Sequence, residues 1–301
     1  MTLKASLLFL CKLIVGAFAF ITGMMLGGML AGASGVPAPH LPPGMDANAT
    51  TLFLFAGSPL LVLAIYFVGQ QVAGTWSARA SALALLTWIA YVLNNVIEAV
   101  IFSSYVTSPW FNLITFTPAV LLCAGVTAWL FPTRPGAHTF IHPWRAHFAQ
   151  RTRSAWRWRL PLAAVSFMPI YYGFGLLVVP FVGDYYRQEA FGLAQPPLAT
   201  LLGVLLLRSV LFAVACLPVI AMWQGTRLRL WLCLGFALFV MVGLLYMVAA
   251  TWLPPQMRFL HSLEILADSF AHAGVLVWLL APNSGLTAVQ AKSQIGYPAN
   301  V

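Results

Sequence analysis

The chain has very few charged residues. Asp, Glu, Lys and Arg make up 7% of its 301 residues, whereas 61% are hydrophobic and 14% are aromatic. A soluble globular domain carries about 25% charged residues, so this composition excludes a soluble enzyme and an intrinsically disordered chain. The net charge of +9 does not indicate nucleic-acid binding, because the basic residues separate apolar runs instead of covering one face of a soluble domain. The sequence predicts an integral membrane protein that binds no nucleic acid.

Cysteine is scarce as well. The four cysteines lie inside apolar runs without C-x-x-C spacing, so neither a zinc knuckle nor a disulfide framework is indicated. The first apolar run, 6–33, is longer than the roughly 7–15 apolar residues of a signal peptide. It also lacks a clean cleavage site, and we therefore expect it to be retained as the first membrane span.

Eight apolar runs have about the 20 residues that a helix needs to cross a bilayer. They lie at 6–32, 51–72, 80–103, 111–131, 160–182, 198–222, 229–251 and 260–281. We therefore predict an all-α integral membrane protein, built as a bundle of about eight transmembrane helices.

The basic residues set the predicted orientation. If the N-terminus is cytoplasmic, all but three of the 15 Lys and Arg residues fall on the cytoplasmic side of the eight spans. Arg187 and Arg258 fall on the outer side, and Arg208 lies within the sixth span. Lys and Arg are retained in the cytoplasm, so we predict a multi-pass protein of a bacterial-type inner (plasma) membrane with both termini cytoplasmic.

Four segments follow from this topology: a first four-helix half at 1–131, a linker at 132–159, a second four-helix half at 160–281 and a short cytoplasmic tail at 282–301. The linker mixes bases with aromatic residues, a pattern typical of an interfacial helix that contacts the bilayer and anionic lipids. The arginines expected at this lipid interface are Arg145, Arg151, Arg153, Arg157 and Arg159.

The two halves share short motifs. The pattern A-G-V-x-x-W-L occurs at 124–130 in the fourth span and again at 273–279 in the eighth, 149 residues later. A Pro-Pro pair at 42–43 recurs at 196–197, 154 residues later. Because four spans restore the same orientation, these matches favour a parallel 4+4 repeat.

The first span carries two G-x-x-x-G motifs, Gly23 to Gly27 and Gly28 to Gly32. Such motifs allow the backbones of two helices to approach closely. They predict close packing within the bundle, between two copies of the chain, or against a partner subunit.

Three of the six acidic residues lie inside predicted spans, where an ionisable group is costly and is a functional-site hypothesis by default. These three are Glu98, Glu264 and Asp268, while Asp46, Asp184 and Glu189 fall in predicted outer loops. In the eighth span, His261, Glu264, Asp268 and His272 fall within an arc of about 80° on a helix.

The third span carries a second polar stripe, which includes Asn94 and Glu98, with Asn95 beside it. At about 1.5 Å of rise per residue, the depths of Glu98, Asp268 and Arg208 below the outer side are compatible. We therefore predict that spans three, six and eight surround a hydrated cavity that opens to the outer side.

Charge balance limits what such a cavity can hold. Three carboxylates and one guanidinium leave an excess of two negative charges if all are ionised, which a site of low dielectric does not hold unassisted. The excess is removed if protons remain on one or two acids, if the histidines become cationic, or if a metal ion or cationic substrate binds.

A metal site is one of these alternatives. His261 and Glu264, three residues apart on one helix, could both reach an ion, and Glu98 or Asp268 could complete its coordination. However, the sequence has no H-E-x-x-H motif, no aspartate-rich prenyl-diphosphate motif, no G-x-S-x-G and no P-loop. The sequence therefore indicates no particular cofactor.

Three functions are compatible with these patterns. The first is a permease-like protein that couples movement of a small solute to protons or cations. In it, Glu98, Glu264 and Asp268 bind the proton or cation, Arg208 acts as counter-ion, and His261 and His272 act as relay groups. The second is an intramembrane enzyme that uses the same residues as metal ligands or as acid and base on a lipid or isoprenoid substrate. The third is a non-catalytic subunit of a membrane complex.

Overall fold

The computed structural model describes residues 2–42, 44–104, 108–133 and 141–282. Within these ranges the chain is helical and forms no β-strand. Eight helices are long and apolar enough to span a membrane, which confirms the predicted fold class. They are α1 (Leu3–Ala33), α2 (Ala47–Gly69), α3 (Trp76–Phe102), α4 (Pro109–Leu130), α6 (Arg153–Arg187), α7 (Leu198–Ala221), α8 (Arg227–Ala249) and α9 (Pro255–Leu280). A short helix, α5 (Ile141–Ala149), precedes α6.

Local sequence fixes where most of these helices begin. Thr75, Thr152 and Thr226 accept hydrogen bonds from the first turns of α3, α6 and α8, and Asp46 does so for α2. Short polar side chains of this kind satisfy backbone N–H groups that have no partner within the helix. Prolines occupy the first position of α4 and α9, where no N–H is needed.

The first and fourth helices pack closely through glycine. A Cβ at Gly23 would lie 2.5 Å from the Cα of Ala119, and one at Gly27 would overlap the carbonyl oxygen of Thr115. The first G-x-x-x-G motif therefore serves packing within the bundle. Cβ atoms at Gly28 and Gly32 would meet nothing within 4 Å among the described residues.

The two halves meet where α2 turns into α3 and α7 turns into α8. The amide of Ala73 donates to the carbonyl of Met222, and the amide of Gln224 donates to the carbonyl of Gln71, both at 2.9 Å. The N-cap threonines of α3 and α8, Thr75 and Thr226, are 151 residues apart. Both helices then contain a π-helical segment, at Trp88–Leu93 and Val240–Leu244. Similar features thus recur about 150 residues apart, and the parallel 4+4 repeat stays a prediction.

The predicted linker, 132–159, is divided in the structure. Its middle forms α5, and the residues from Arg153 onward form the first turns of the spanning helix α6. Residues 134–140, and nearly all of the predicted tail, lie outside the described residues. Within α6 the helix is interrupted at Ser166, where the freed amide of Phe167 donates to Ser209 Oγ on α7 at 3.1 Å.

Candidate functional site

A cavity of about 350 Å³ lies between α3, α6, α7, α8 and α9. It is near the end of the bundle where α3 and α6 finish and α7 and α9 begin, which is the predicted outer side. Its walls are largely apolar, including Leu176, Val182 and Met257. Its polar lining residues are Asn95, Glu98, Ser103, Tyr171, Tyr172, Tyr186, Arg187, Gln195, Arg208, His261, Glu264, Asp268, Ser269 and His272.

Arg208 is buried at the base of one wall, with 2% of its surface exposed. Its Nε donates to Asn94 Oδ1 at 2.8 Å, and its Nη2 pairs with Glu98 Oε1. Two side chains of α3 are thus held by one side chain of α7. Charged hydrogen bonds of this kind are stronger than neutral ones and fix the geometry of the groups they join.

Aromatic rings complete the surroundings of this guanidinium. Its central carbon lies 5.0 Å from the ring centre of Phe167, 5.5 Å from Tyr171 and 6.0 Å from Phe212. Arginine is attracted to aromatic faces at such distances. The rings of Phe167 and Tyr171 belong to α6, which is the fifth predicted span. This helix therefore helps to position the charge that α7 carries.

A second polar chain runs along the opposite wall. Glu264 Oε2 and His261 Nδ1 are 2.7 Å apart, and His261 Nε2 lies 3.4 Å from the hydroxyl of Tyr186. Carboxylate, imidazole and phenol therefore follow one another within hydrogen-bond reach. Such an arrangement can pass a proton between its members, because imidazole can accept at one nitrogen and donate at the other.

Asp268 and His272 form the deepest polar part of the cavity lining. Both are buried, and neither Asp268 Oδ1 nor His272 Nε2 has a hydrogen-bond partner among the described residues. The imidazole of His272 packs 5.2 Å from Phe167 and 5.7 Å from Phe212. Buried polar atoms are normally satisfied, so these two atoms leave hydrogen-bonding capacity for a ligand, a proton or water.

Asn95 connects the two π-helical segments behind this site. Its Nδ2 donates to the carbonyl of Tyr91 in α3 at 2.6 Å and to the carbonyl of Met241 in α8 at 3.3 Å. π-Helical turns often occur at functional sites. Adjacent residues of a helix project about 100° apart, so Asn94 faces Arg208 and Asn95 faces α8.

The structure thus brings together side chains from α3, α7 and α9. These helices are the predicted spans three, six and eight, the three that the sequence singled out. Seven of the eight candidate residues line the cavity, and the eighth, Asn94, holds Arg208. The sequence analysis missed α6, which contributes Phe167, Tyr171 and Tyr172. Tyrosines within a predicted apolar span were the signal that could have found it.

The metal alternative gains no support from the donor arrangement. In the parts of the chain that the structure describes, no three His, Cys, Asp or Glu residues are grouped closely enough to hold an ion. His261 and Glu264 contact each other and supply two donors.

The five arginines expected at the lipid interface divide into two groups. Arg151 and Arg159 reach back to carbonyls at the end of α9, with Arg151 Nη1 donating to Leu280 at 3.0 Å and Arg159 Nη1 donating to Leu279 at 2.8 Å. Arg145, Arg153 and Arg157 are exposed.

Comparison with protein-family models, with curated proteins and with solved structures finds no match to this chain.

Proposed function

We propose that the chain is a permease-like membrane protein in which movement of a small solute is coupled to protons or cations. The observation that carries this proposal is the meeting of three carboxylates, Glu98, Glu264 and Asp268, in one cavity with a single buried arginine, Arg208. Only Glu98 is paired with that arginine. The remaining negative charge favours a proton or a cation as part of the bound state.

The surroundings of the acids support reversible binding. Asp268 Oδ1 has no hydrogen-bond partner among the described residues, and Glu264 contacts a histidine that can change its own charge. Protonation of either acid removes one negative charge from a cavity with mostly apolar walls. Loading and release of a proton then change the affinity of the same cavity for a charged solute.

A second candidate function, an intramembrane enzyme acting on a lipid or isoprenoid, is favoured by one further observation. The imidazole of His261 lies between the carboxylate of Glu264 and the phenol of Tyr186. The carboxylate can orient the imidazole, which can then act as a general acid or base. Leu176 and Val179, which line the cavity, are also exposed on the outer surface of α6. A lipid substrate could therefore reach the acids from the bilayer.

The test of transport is solute-dependent proton flux. The purified chain is reconstituted into liposomes that enclose a pH-sensitive dye, and small cations, anions and neutral solutes are added outside one at a time. Coupling to protons predicts that at least one solute changes the internal pH in wild type and not in Glu264→Gln/Asp268→Asn. Asp184→Asn/Glu189→Gln is the matched control, because it removes two exposed acids that do not line the cavity.

The enzyme hypothesis predicts a different outcome from the same variants. Extracted bilayer lipids would be chemically altered by wild type and by the control, but not by Glu264→Gln/Asp268→Asn, and no solute would move protons. Mass spectrometry of the lipids separates this outcome from transport.

A further inference from the structure

The predicted cytoplasmic end of the bundle concentrates positive charge without acids to balance it. All six acidic residues are described, and every one lies at the other end or in the cavity that opens toward it. The three ion pairs among the described residues also belong to that other end. The arginines of α5, of its connection to α6 and of the first turns of α6 therefore have no carboxylate to neutralise them in the described structure.

Three arginines at this end of the bundle line one surface groove between α5 and α6. Arg151, Arg153 and Arg157 form its polar side, and Phe148, Trp156 and Leu160 form its apolar side. Arg153 and Arg157 are four residues apart on α6, so they project from the same face of the helix. Both are exposed, and neither has a hydrogen bond or ion pair with any described residue.

Arg151 is held in place at the inner edge of this groove. Its guanidinium donates to the carbonyls of Leu280 and Ala281 and lies 5.1 Å from the ring centre of Trp156. The Trp156 indole donates in turn to the carbonyl of Phe148 at 2.9 Å. The groove therefore has one fixed positive charge and a packed aromatic floor, with two more guanidinium groups free to bind.

The position of the groove along α6 fits the bilayer surface. Arg153 and Arg157 lie in the first two turns of a spanning helix, so their charges fall at headgroup level. Leu160 lies about one turn deeper, at the start of the hydrocarbon layer. Tryptophan is enriched at this boundary, and both Trp156 and Trp158 lie there.

We propose that this groove binds an anionic phospholipid of the adjacent leaflet, with its phosphate between Arg153 and Arg157 and an acyl chain along Phe148 and Leu160. The phosphate would accept hydrogen bonds from two guanidinium groups, which suit phosphate geometry. The apolar floor favours a lipid over a free phosphate ion, because a lipid has an acyl chain to pack against the floor and a phosphate ion has no apolar part. This site shares no lining residue with the cavity, and its proposed role does not depend on what the cavity transports.

Native mass spectrometry of the full chain in detergent tests this assignment. Phosphatidylglycerol and phosphatidylcholine are titrated against wild type, Arg153→Gln/Arg157→Gln and the charge-matched control Lys4→Gln/Arg229→Gln. The control removes two exposed basic side chains on the same predicted cytoplasmic side that lie outside the groove. Thermal unfolding of each variant establishes that it is folded before its lipid affinity is compared.

We expect the groove variant to bind phosphatidylglycerol about thirtyfold more weakly than wild type, from the usual attraction of two basic side chains to an anionic lipid. The control should keep wild-type affinity, and phosphatidylcholine should bind weakly throughout. Equal losses in groove variant and control would mean non-specific attraction by surface charge and would overturn the site. Displacement of the lipid by millimolar inorganic phosphate would show a phosphate site and overturn the lipid assignment.

Discussion

The side-chain amide of Asn95 donates to the main-chain carbonyl of Met241 across the interface between α3 and α8, at 3.3 Å. The same amide donates to Tyr91 within its own helix. One asparagine therefore supplies hydrogen bonds to carbonyls in both π-helical segments, where regular α-helical bonding is interrupted. The walls of the cavity depend on this contact, because Asn95, Leu238 and Val242 all line it.

Replacing Asn95 by Leu should lower the free energy of unfolding by about 1–3 kcal/mol, because two carbonyls lose their donor in a buried site. Thermal unfolding of the purified protein in detergent measures the loss. Asn48→Leu is the control, since Asn48 is exposed at the start of α2, and it should change stability by less than about 0.5 kcal/mol. Equal stability of the two variants would show that the amide bridge contributes nothing.

Replacing Arg208 by Gln should be more costly. Its guanidinium is buried and binds Asn94 and Glu98. Because the Glu98 side chain is 30% exposed, the loss should lie near the lower end of the about 3–5 kcal/mol that breaking a buried pair costs. Adding Glu98→Gln should restore part of that loss, since no charge is then left without a partner. A double-mutant cycle on unfolding free energies measures the coupling.

Arg187→Gln is the matched control for that cycle. Arg187 pairs with Asp184 on the surface, where their side chains are 62% and 72% exposed, and exposed pairs contribute about 0–1 kcal/mol. Additive effects of Arg208→Gln and Glu98→Gln would contradict the geometry described for the cavity.

The two glycine motifs of α1 should respond differently to alanine. Gly27→Ala places a methyl group against the Thr115 carbonyl and should destabilise the protein by about 1–3 kcal/mol. Gly28→Ala points into open space and should be neutral or stabilising by up to about 1 kcal/mol, because alanine favours helices. Thermal unfolding compares the pair, and an equal response would contradict the packing of α1 on α4.

His147 on α5 should make stability depend on pH. It is buried, and this burial, followed by the charge of Arg151, lowers its pKa from 6.5 to about 4. Below pH 6.5 the unfolded chain binds a proton that the folded chain does not bind until about pH 4. The free energy of unfolding therefore falls as the pH is lowered through this window and levels off below it.

His147→Phe removes this titration while keeping a ring against Phe148 and Trp156. The loss of stability between pH 6.5 and 4 should shrink in this variant. His40→Phe, at an exposed site, should keep the wild-type profile. Identical slopes for His147→Phe and wild type would show that His147 does not set the pH dependence.

The architecture could be predicted because hydropathy over twenty residues depends little on tertiary detail. All eight predicted spans are helices. The meeting of Glu98, Arg208 and Asp268 could be predicted for a related reason, since ionisable groups inside apolar helices gain stability from partners or water. The polar faces on which these residues lie, and their depths below the outer side, allow few arrangements of the three helices.

Other features depend on contacts that no single segment reveals. The π-helical turns of α3 and α8 are joined by Asn95 across two halves of the chain, so local sequence does not specify them. The basic residues of 153–159 suggested an interfacial helix, whereas Thr152 caps α6 and makes them its first turns. The aromatic contribution of Phe167 and Tyr171 follows from where α6 packs, which hydropathy does not determine.

The central claim is that the cavity acids hold a proton that exchanges during function. Infrared spectroscopy of the reconstituted protein at neutral pH tests it directly, because a protonated carboxyl group has a carbonyl stretching band that a carboxylate lacks. We predict this band in wild type and in Asp184→Asn/Glu189→Gln, and its loss in Glu264→Gln/Asp268→Asn. A wild-type spectrum without the band, and unchanged by the cavity substitutions, would mean that all three acids are ionised and would contradict the claim that they hold a proton.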